Sequence, residues 1–136
     1  FGPSQDAVAK IAASDADTKD FATKHGVPFV GRPSSPRSGQ ELWPRGAEVS
    51  VVAVSDGVRH CMLPAGVQDH KRALDEDRGP ITEGMGAFAP SPQVSSEVLA
   101  QVEREIVKPV LDGLRQEGAP FVGCLHVELA LTPSGP

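Results

Sequence analysis

The spacing of apolar residues changes along the chain, and each spacing predicts a different element. Residues 94–118 carry an apolar stripe at every third or fourth position, which is typical of an amphipathic helix. Residues 48–55, 58–63 and 121–131 are rich in valine and leucine and have the length of strands. An interrupted apolar stripe over residues 4–25 predicts one or two further helices.

Capping residues and helix breakers set the expected ends of these helices. Ser14 is a predicted N-cap inside the first segment, and Gly26 ends that segment. Ser95 or Ser96 begins the long helix, because a serine hydroxyl can accept a hydrogen bond from an N–H of the first turn. Pro109 lies inside the long helix and predicts a kink, since proline has no N–H to donate to the preceding turn.

Two segments rich in proline and glycine separate these elements. Residues 29–46 predict a connector, and residues 64–92 predict a polar, glycine-rich loop. The expected fold class is α+β: an antiparallel sheet, made of the hairpin 48–63 and the strand 121–131, with the long helix packed on one face. We expect one domain over residues 1–136, divided into a helical part at 1–28, the connector at 29–46 and the sheet, loop and long helix at 47–136.

Composition narrows the class of protein. A chain of 136 residues is long enough for one compact domain with a modest core. The net charge is -5 with both signs interspersed, so neither nucleic acid nor an anionic membrane surface is an expected partner. With no spanning segment and no signal sequence, we expect a cytoplasmic protein. Cys61 and Cys124 have no paired spacing, which favours two buried free thiols.

Two polar runs within the predicted loop are the most informative part of the sequence. Residues 68–72 read Gln-Asp-His-Lys-Arg, and residues 79–90 read Gly-Pro-Ile-Thr-Glu-Gly-Met-Gly-Ala-Phe-Ala-Pro. Charged, hydrogen-bonding and glycine positions concentrated in one loop are typical of a site for phosphates and small polar substrates. The alternative is a solvated loop, in which nearby acidic residues balance the basic ones and the glycines only form turns.

These runs and their order along the chain resemble glycinamide ribonucleotide synthetase, also called phosphoribosylamine-glycine ligase, of the ATP-grasp family. Residues 68–72 resemble its Gln-Asp-His-Lys-Arg run, and residues 84–90 resemble its Gly-Met-Gly-Ala-Tyr-Ser-Pro run. Residues 1–4 resemble its Phe-Gly-Pro opening, and residues 48–50 resemble the Glu-Val-Ser part of a strand. The resemblance covers nearly the whole chain except residues 29–38.

The resemblance implies a partial ATP-grasp fold and an ATP-dependent ligase of purine biosynthesis, which joins glycine to phosphoribosylamine through a glycyl phosphate. It also implies the use of ATP and magnesium. Catalytic roles would fall on His70, Lys71 and Arg72, which would face the phosphates. ATP-binding roles would fall on Glu41 at the adenine hinge and Glu48 at the ribose. The implied substrate-binding residues are Gln68, Asp69, Thr82, Gly84, Met85 and Gly86.

Several positions depart from the family pattern. Ile81 and Glu83 replace an asparagine and a glycine in the loop, and residues 126–128, His-Val-Glu, replace a Tyr-Ala-Gly run in the last strand. The family would carry a nucleotide-binding subdomain between residues 28 and 41, and magnesium ligands beyond residue 135. The chain is therefore expected to be internally shortened and truncated at its end, with no metal ligand set.

Two interpretations of function follow. In the first, the partners are the small molecules glycine, phosphoribosylamine and ATP, and this shortened chain is inactive on its own. In the second, the chain is a degenerate ATP-grasp remnant with a binding role or no catalytic role. A sheet without its partner layer exposes apolar area, so we also expect self-association through the sheet or disorder in residues 29–45.

Overall fold

The computed structural model describes residues 2–12, 14–30, 47–76, 78–82 and 84–132. Most of the predicted connector, including Glu41, lies outside the described residues, and so does Glu83. The expectations that concern these positions therefore remain predictions. No helix in the described ranges is long and apolar enough to cross a membrane.

Two short helices begin the chain, as the interrupted apolar stripe predicts. Helix α1 spans Gln5–Ala12 and helix α2 spans Asp15–His25. The Ser14 hydroxyl accepts a hydrogen bond from the Asp17 N–H at 3.1 Å, which confirms the predicted N-cap. Gly26 closes α2 in the left-handed conformation and donates its N–H to the carbonyls at the helix end.

The long helix has three parts: α3 at Ser96–Val102, a π-helical turn at Glu103–Val107, and α4 at Lys108–Gln116. Ser95 is its N-cap and accepts from the Val98 N–H at 3.3 Å. The predicted disturbance at Pro109 takes the form of the π turn, in which the Lys108 N–H donates to the Glu103 carbonyl. This wider turn ends just before the residue that has no N–H, so the helix continues without a break.

Within the described residues, seven strands form two antiparallel sheets. Their bounds are β1 Ala47–Asp56, β2 His60–Met62, β3 Val67–Asp69, β4 Arg72–Leu74, β5 Arg78–Ile81, β6 Ala87–Phe88 and β7 Val122–Leu131. Strand β1 pairs along its whole length with β7 on one side, and with β2 and β3 on the other. Strand β6 extends the sheet beyond β3, and β4 pairs with β5 as a separate hairpin.

Four of these strands correct the sequence analysis. Residues 64–92 were predicted to be a loop, but β3, β4, β5 and β6 lie within them. Each of the four is two to four residues long, too short to show a periodic pattern of apolar positions. The predicted hairpin of β1 and β2, the last strand and the helix on one face are confirmed.

The two faces of β1 carry different residues. Val49, Val51 and Ala53 face the long helix and are fully or almost fully buried. Glu48 and Ser50 alternate with them, so they lie on the opposite face, which we call the second face of the sheet. The core is made of buried apolar side chains from the helices, β1, β7 and the turn before β7: Ala7, Phe21, Val49, Val51, Ala53, Val102, Ile106, Val107, Leu111, Leu114, Ala119, Phe121, Leu125 and Leu129.

The expectation of two buried thiols is wrong. Cys61 and Cys124 are both free and exposed. Each lies opposite Val54 of β1, one on β2 and the other on β7. Directly opposed residues share a face, and this one is the second face, away from the core. The apolar residues around each cysteine in the sequence belong to a strand whose two faces differ, so they do not indicate that the thiol is buried.

A single carboxylate joins the first two helices to the end of α4. Glu117 accepts hydrogen bonds from Lys10 of α1 at 2.6 Å, from Lys24 at 2.7 Å and from the His25 ring at 2.9 Å, both of α2. The His25 side chain is only 10% exposed, and its ring also contacts Phe21 with 4.5 Å between ring centroids. The cluster of Glu117 with these three donors fixes how the helices pack.

Gly113→Ala is expected to lower the free energy of unfolding by about 1 kcal/mol, because overpacking outweighs the better helix propensity of alanine. A Cβ at position 113 would lie 2.7 Å from the His25 ring, which its contacts hold in place. Urea unfolding followed by circular dichroism measures the change. In a His25→Ala background the same substitution should be neutral or stabilising, and equal losses in both backgrounds would contradict the steric cause.

Candidate functional site

The two polar runs of the sequence lie side by side. Strand β3 pairs with β6, which places Gln68 opposite Phe88 and Asp69 opposite Ala87. Beyond the strand, the His70 N–H donates to the Gly86 carbonyl at 2.9 Å, and the Met85 N–H donates to the His70 carbonyl at 2.6 Å. Residues 68–72 therefore form one hydrogen-bonded unit with Thr82 and residues 84–88, although their sequence suggested only a shared loop.

Thr82 anchors the backbone of Lys71. Its N–H donates to the Lys71 carbonyl at 2.7 Å and its hydroxyl donates to the same oxygen at 2.8 Å. The hydroxyl also accepts from the Gly84 N–H at 3.1 Å. Gly84 and Gly86 have φ values of +137° and +150°, which side chains rarely adopt, so glycine is required at both positions for this arrangement.

The ammonium group of Lys71 lies between two carboxylates on the second face of the sheet. Its Nζ is 3.7 Å from Glu48 Oε2 and 3.6 Å from Glu128 Oε2. The side chains of Lys71, Glu48 and Glu128 are 20%, 23% and 33% exposed, so water screens these charges only in part. The immediate surroundings of the lysine are thus negative.

The other two predicted catalytic residues have different partners. The Arg72 guanidinium donates through Nη1 to the Gly79 carbonyl at 2.9 Å, which ties it to the β4–β5 hairpin. The His70 ring stacks on Phe88 with 5.5 Å between centroids and 29° between ring planes. The phosphate-facing role of these three residues stays a prediction.

Some of the predicted substrate-binding residues support the local structure, and others are exposed to solvent. Gln68 pairs with Val49, whose side chain faces the core, and its Oε1 accepts from the Ser91 hydroxyl at 3.2 Å. This bond supports the loop between β6 and α3. Met85, in contrast, is 63% exposed and available to a ligand or a partner. Asp69 is half-buried in β3.

An apolar cavity lies apart from most of these residues. It has a volume of about 360 Å³ and lies between α2, residues 27–30, the long helix and β7. None of the residues that the sequence assigned to the site lines it, and Glu128 alone of the Lys71 cluster does. We place the candidate site at the two polar runs, because cations and glycines needed for anion binding are found there and not around the cavity.

The described side chains offer no cluster suited to a metal ion. Within residues 2–12, 14–30, 47–76, 78–82 and 84–132, no three side chains of histidine, cysteine, aspartate or glutamate are close enough together to hold an ion. Glu48 and Glu128 both lie near the Lys71 ammonium, but two carboxylates without a third ligating side chain do not form a metal site. These residues do not fit a magnesium ion.

Glu128 was missed as a site residue. From the sequence it stands out only as a departure in the last strand, two residues after His126. Its position depends on the pairing of β7 with β1, which places it directly opposite Ser50. Only the register of two strands distant in sequence brings it to Lys71, and a single-sequence pattern does not give that register.

Comparison with known proteins identifies the family. The sequence pattern of the ATP-grasp (A) domain of phosphoribosylglycinamide synthetase matches residues 41–136. The chain belongs to this family. The resemblance seen in the sequence is confirmed, and the phosphoribosylglycinamide synthetase match includes β1, both polar runs, the long helix and β7.

Relatives of known name support the assignment to phosphoribosylglycinamide synthetase. A bifunctional purine biosynthetic protein of Schizosaccharomyces pombe is 50% identical over 91 residues, which are 67% of this chain and 11% of that protein. A phosphoribosylamine-glycine ligase of Leptospira interrogans is 44% identical over 95 residues, 70% of this chain and 22% of that protein. The chain thus spans between about a tenth and a fifth of the length of these relatives.

A solved structure supports the fold. The phosphoribosylamine-glycine ligase of Thermotoga maritima superposes with a TM-score of 0.77 at 22% identity, over 100% of this chain and 48% of that one. The predicted α+β class, as part of an ATP-grasp fold, is confirmed.

Proposed function

We propose that this chain is part of a phosphoribosylamine-glycine ligase of purine biosynthesis, with ATP, glycine and phosphoribosylamine as its small-molecule substrates. The observation that carries the proposal is the hydrogen bonding of residues 68–72 to Thr82 and residues 84–88, within the region that matches the family. A cytoplasmic location belongs to the same proposal.

The chemistry of such a ligase has two anionic steps. ATP transfers its terminal phosphoryl group to the carboxylate of glycine, which forms an acyl phosphate. The amine of phosphoribosylamine then attacks the acyl carbon, the amide bond forms and phosphate leaves. Both steps need positive charge beside the phosphoryl oxygens, because positioning and electrostatic stabilisation provide most of the catalysis in phosphoryl transfer.

The proposed roles of the cations follow from their positions. Lys71 is the best candidate for a phosphate contact, because Thr82 fixes its backbone while four methylene groups leave its ammonium free to move. Arg72 would position the β4–β5 hairpin through Gly79 as well as face the phosphates. His70, stacked on Phe88, would offer a flat, partly exposed surface beside them.

The remaining roles are assigned to the acidic and loop residues. Glu48, on the second face with Lys71, would accept from the ribose hydroxyls of ATP, and Glu41 would lie at the adenine hinge. The phosphoribosylamine side would be lined by Thr82, Gly84, Met85 and Gly86, with Gln68 and Asp69 holding the loop that carries them.

We further propose that the chain does not turn over on its own. The family implies magnesium, and the described residues provide no ligand set for it. The alternative, a remnant with a binding role or no catalytic role, is favoured by one observation: two carboxylates already accompany the Lys71 ammonium. Self-association through the sheet would suit either interpretation, because β7 has a paired neighbour on one side only among the described strands.

Magnesium-ATP is expected to raise the melting temperature of this chain in a saturable manner. A ligand that binds only the native state stabilises it by about 2.7 kcal/mol at 100 times its Kd. Lys71→Met should abolish the shift, whereas Lys19→Met, at an exposed position on α2, should keep it. Each variant is compared with its own ligand-free melting temperature.

Equal shifts in the two lysine variants, or none in the wild type, would contradict nucleotide binding at the polar runs. Formation of ADP that depends on glycine and phosphoribosylamine would contradict both the remnant and the proposal that the chain does not turn over on its own. Binding without turnover is the expected result.

A further inference from the structure

We propose that Glu128 is an internal competitor that limits how tightly Lys71 binds phosphate-bearing ligands, an inference that rests on the proposed function. Its carboxylate lies beside the ammonium that a phosphate oxygen would approach, with 3.6 Å between Glu128 Oε2 and Lys71 Nζ. Glu128 therefore determines the affinity of the site and does not take part in the chemistry.

Strand register places this carboxylate at the site. Glu128 of β7 lies directly opposite Ser50 of β1, and Glu48 is two residues from Ser50 on the same strand. Residues two apart on a strand share a face, so both glutamates lie on the second face as diagonal neighbours. The Lys71 chain crosses from the far side of β1 and ends between them.

The charge balance then disfavours an anion. Two carboxylates beside one ammonium lower the positive potential around it, so an approaching polyphosphate is attracted less than it would be by the lysine alone. These side chains are one fifth to one third exposed, and partial burial reduces screening by solvent and salt. A phosphate that approaches the ammonium must therefore compete with both carboxylates for its charge.

Glu128 is the carboxylate to neutralise. Glu48 lies on the central strand and is the less exposed of the two, at 23% against 33%. Glu128 lies on β7, the strand that pairs with β1 alone among the described strands. Neutralising Glu128 leaves one carboxylate beside Lys71, which raises the positive potential there, so polyphosphate binding should improve.

The test measures binding of inorganic tripolyphosphate by calorimetry at low salt. Glu128→Gln is expected to tighten binding by roughly fivefold over the wild type, the size expected from one partly screened charge contact. Glu97→Gln makes the same charge change on α3, which packs on the other face of the sheet, and should leave affinity unchanged. Adding Lys71→Met to Glu128→Gln should abolish the gain.

The outcomes separate this inference from the proposed function. A tripolyphosphate gain in Glu128→Gln, with no magnesium-ATP binding by either protein, supports the competitor and contradicts the nucleotide site. Magnesium-ATP binding by the wild type, with no tripolyphosphate gain in Glu128→Gln, supports the nucleotide site and overturns the competitor. A gain that survives Lys71→Met, or that Glu97→Gln reproduces, also overturns it, because the effect would then come from overall charge.

Discussion

Leu114→Ala is expected to destabilise the protein by about 3 kcal/mol, near the middle of the range measured for such substitutions in cores. The Leu114 side chain is fully buried, on α4, among residues of the sheet and helices. Its removal loses apolar burial and leaves a cavity, since neighbours on a helix and a sheet relax only in part. Urea unfolding monitored by circular dichroism gives the change.

Leu74→Ala is the matched control. Leu74 lies on β4 and is 63% exposed, so removal of the same atoms should change the stability by less than about 0.5 kcal/mol. If both variants lose similar stability, the long helix does not form the core with β1 and β7. A large loss at Leu114 alone would show that this chain has a well-packed core.

The second large effect is expected at Glu117. Glu117→Gln keeps the shape of the side chain but removes the charge that Lys10, Lys24 and His25 share, so these groups face one another without compensation. We expect a marked fall in melting temperature at pH 7. Glu76→Gln breaks an ion pair with Arg78 that is 79% exposed at the glutamate, and should change the melting temperature little.

The effect of Glu117 should depend on pH. Hydrogen bonds from Lys10, then from Lys24 and His25, hold the pKa of Glu117 well below its ordinary value of 4.5. A carboxylate whose folded-state pKa is lowered stabilises the fold fully above its unfolded-state pKa, and the contribution is lost as the pH falls through the folded-state pKa. The difference in melting temperature between wild type and Glu117→Gln should therefore shrink below pH 4.5. A difference that grows in acid would contradict this origin.

The elements with strong periodic patterns could be predicted from the sequence. Local spacing and capping chemistry predict the long helix with its Ser95 cap, the β1–β2 hairpin and the last strand. The missing N–H of Pro109 predicted that the helix would be disturbed there, but it did not predict a π turn. Whether a helix kinks or takes a π turn depends on the packing of the residues around it, such as Ile106 and Val107.

The short strands and the site could be predicted only in part. Strands such as β3 and β6 form because their partners lie beside them, and a run of two or three residues has no period to detect. The two polar runs were correctly singled out, but the contact of Lys71 with Glu128 joins residues 57 positions apart through the pairing of β1 and β7. The order of residues along the chain does not show that Glu128 lies beside Lys71.

The alternation of core-facing and outward-facing side chains along β1 also determines the cost of a register error. Because Val49 faces the core and Glu48 lies on the second face of the sheet, a slip of one residue would exchange the faces of these two side chains. A misregistered strand would then bury a carboxylate and expose a valine, and it would lack a carboxylate beside Lys71. A molecule with this slip would be strongly destabilised, so a correctly folded molecule carries the Glu48–Lys71 pair already assembled.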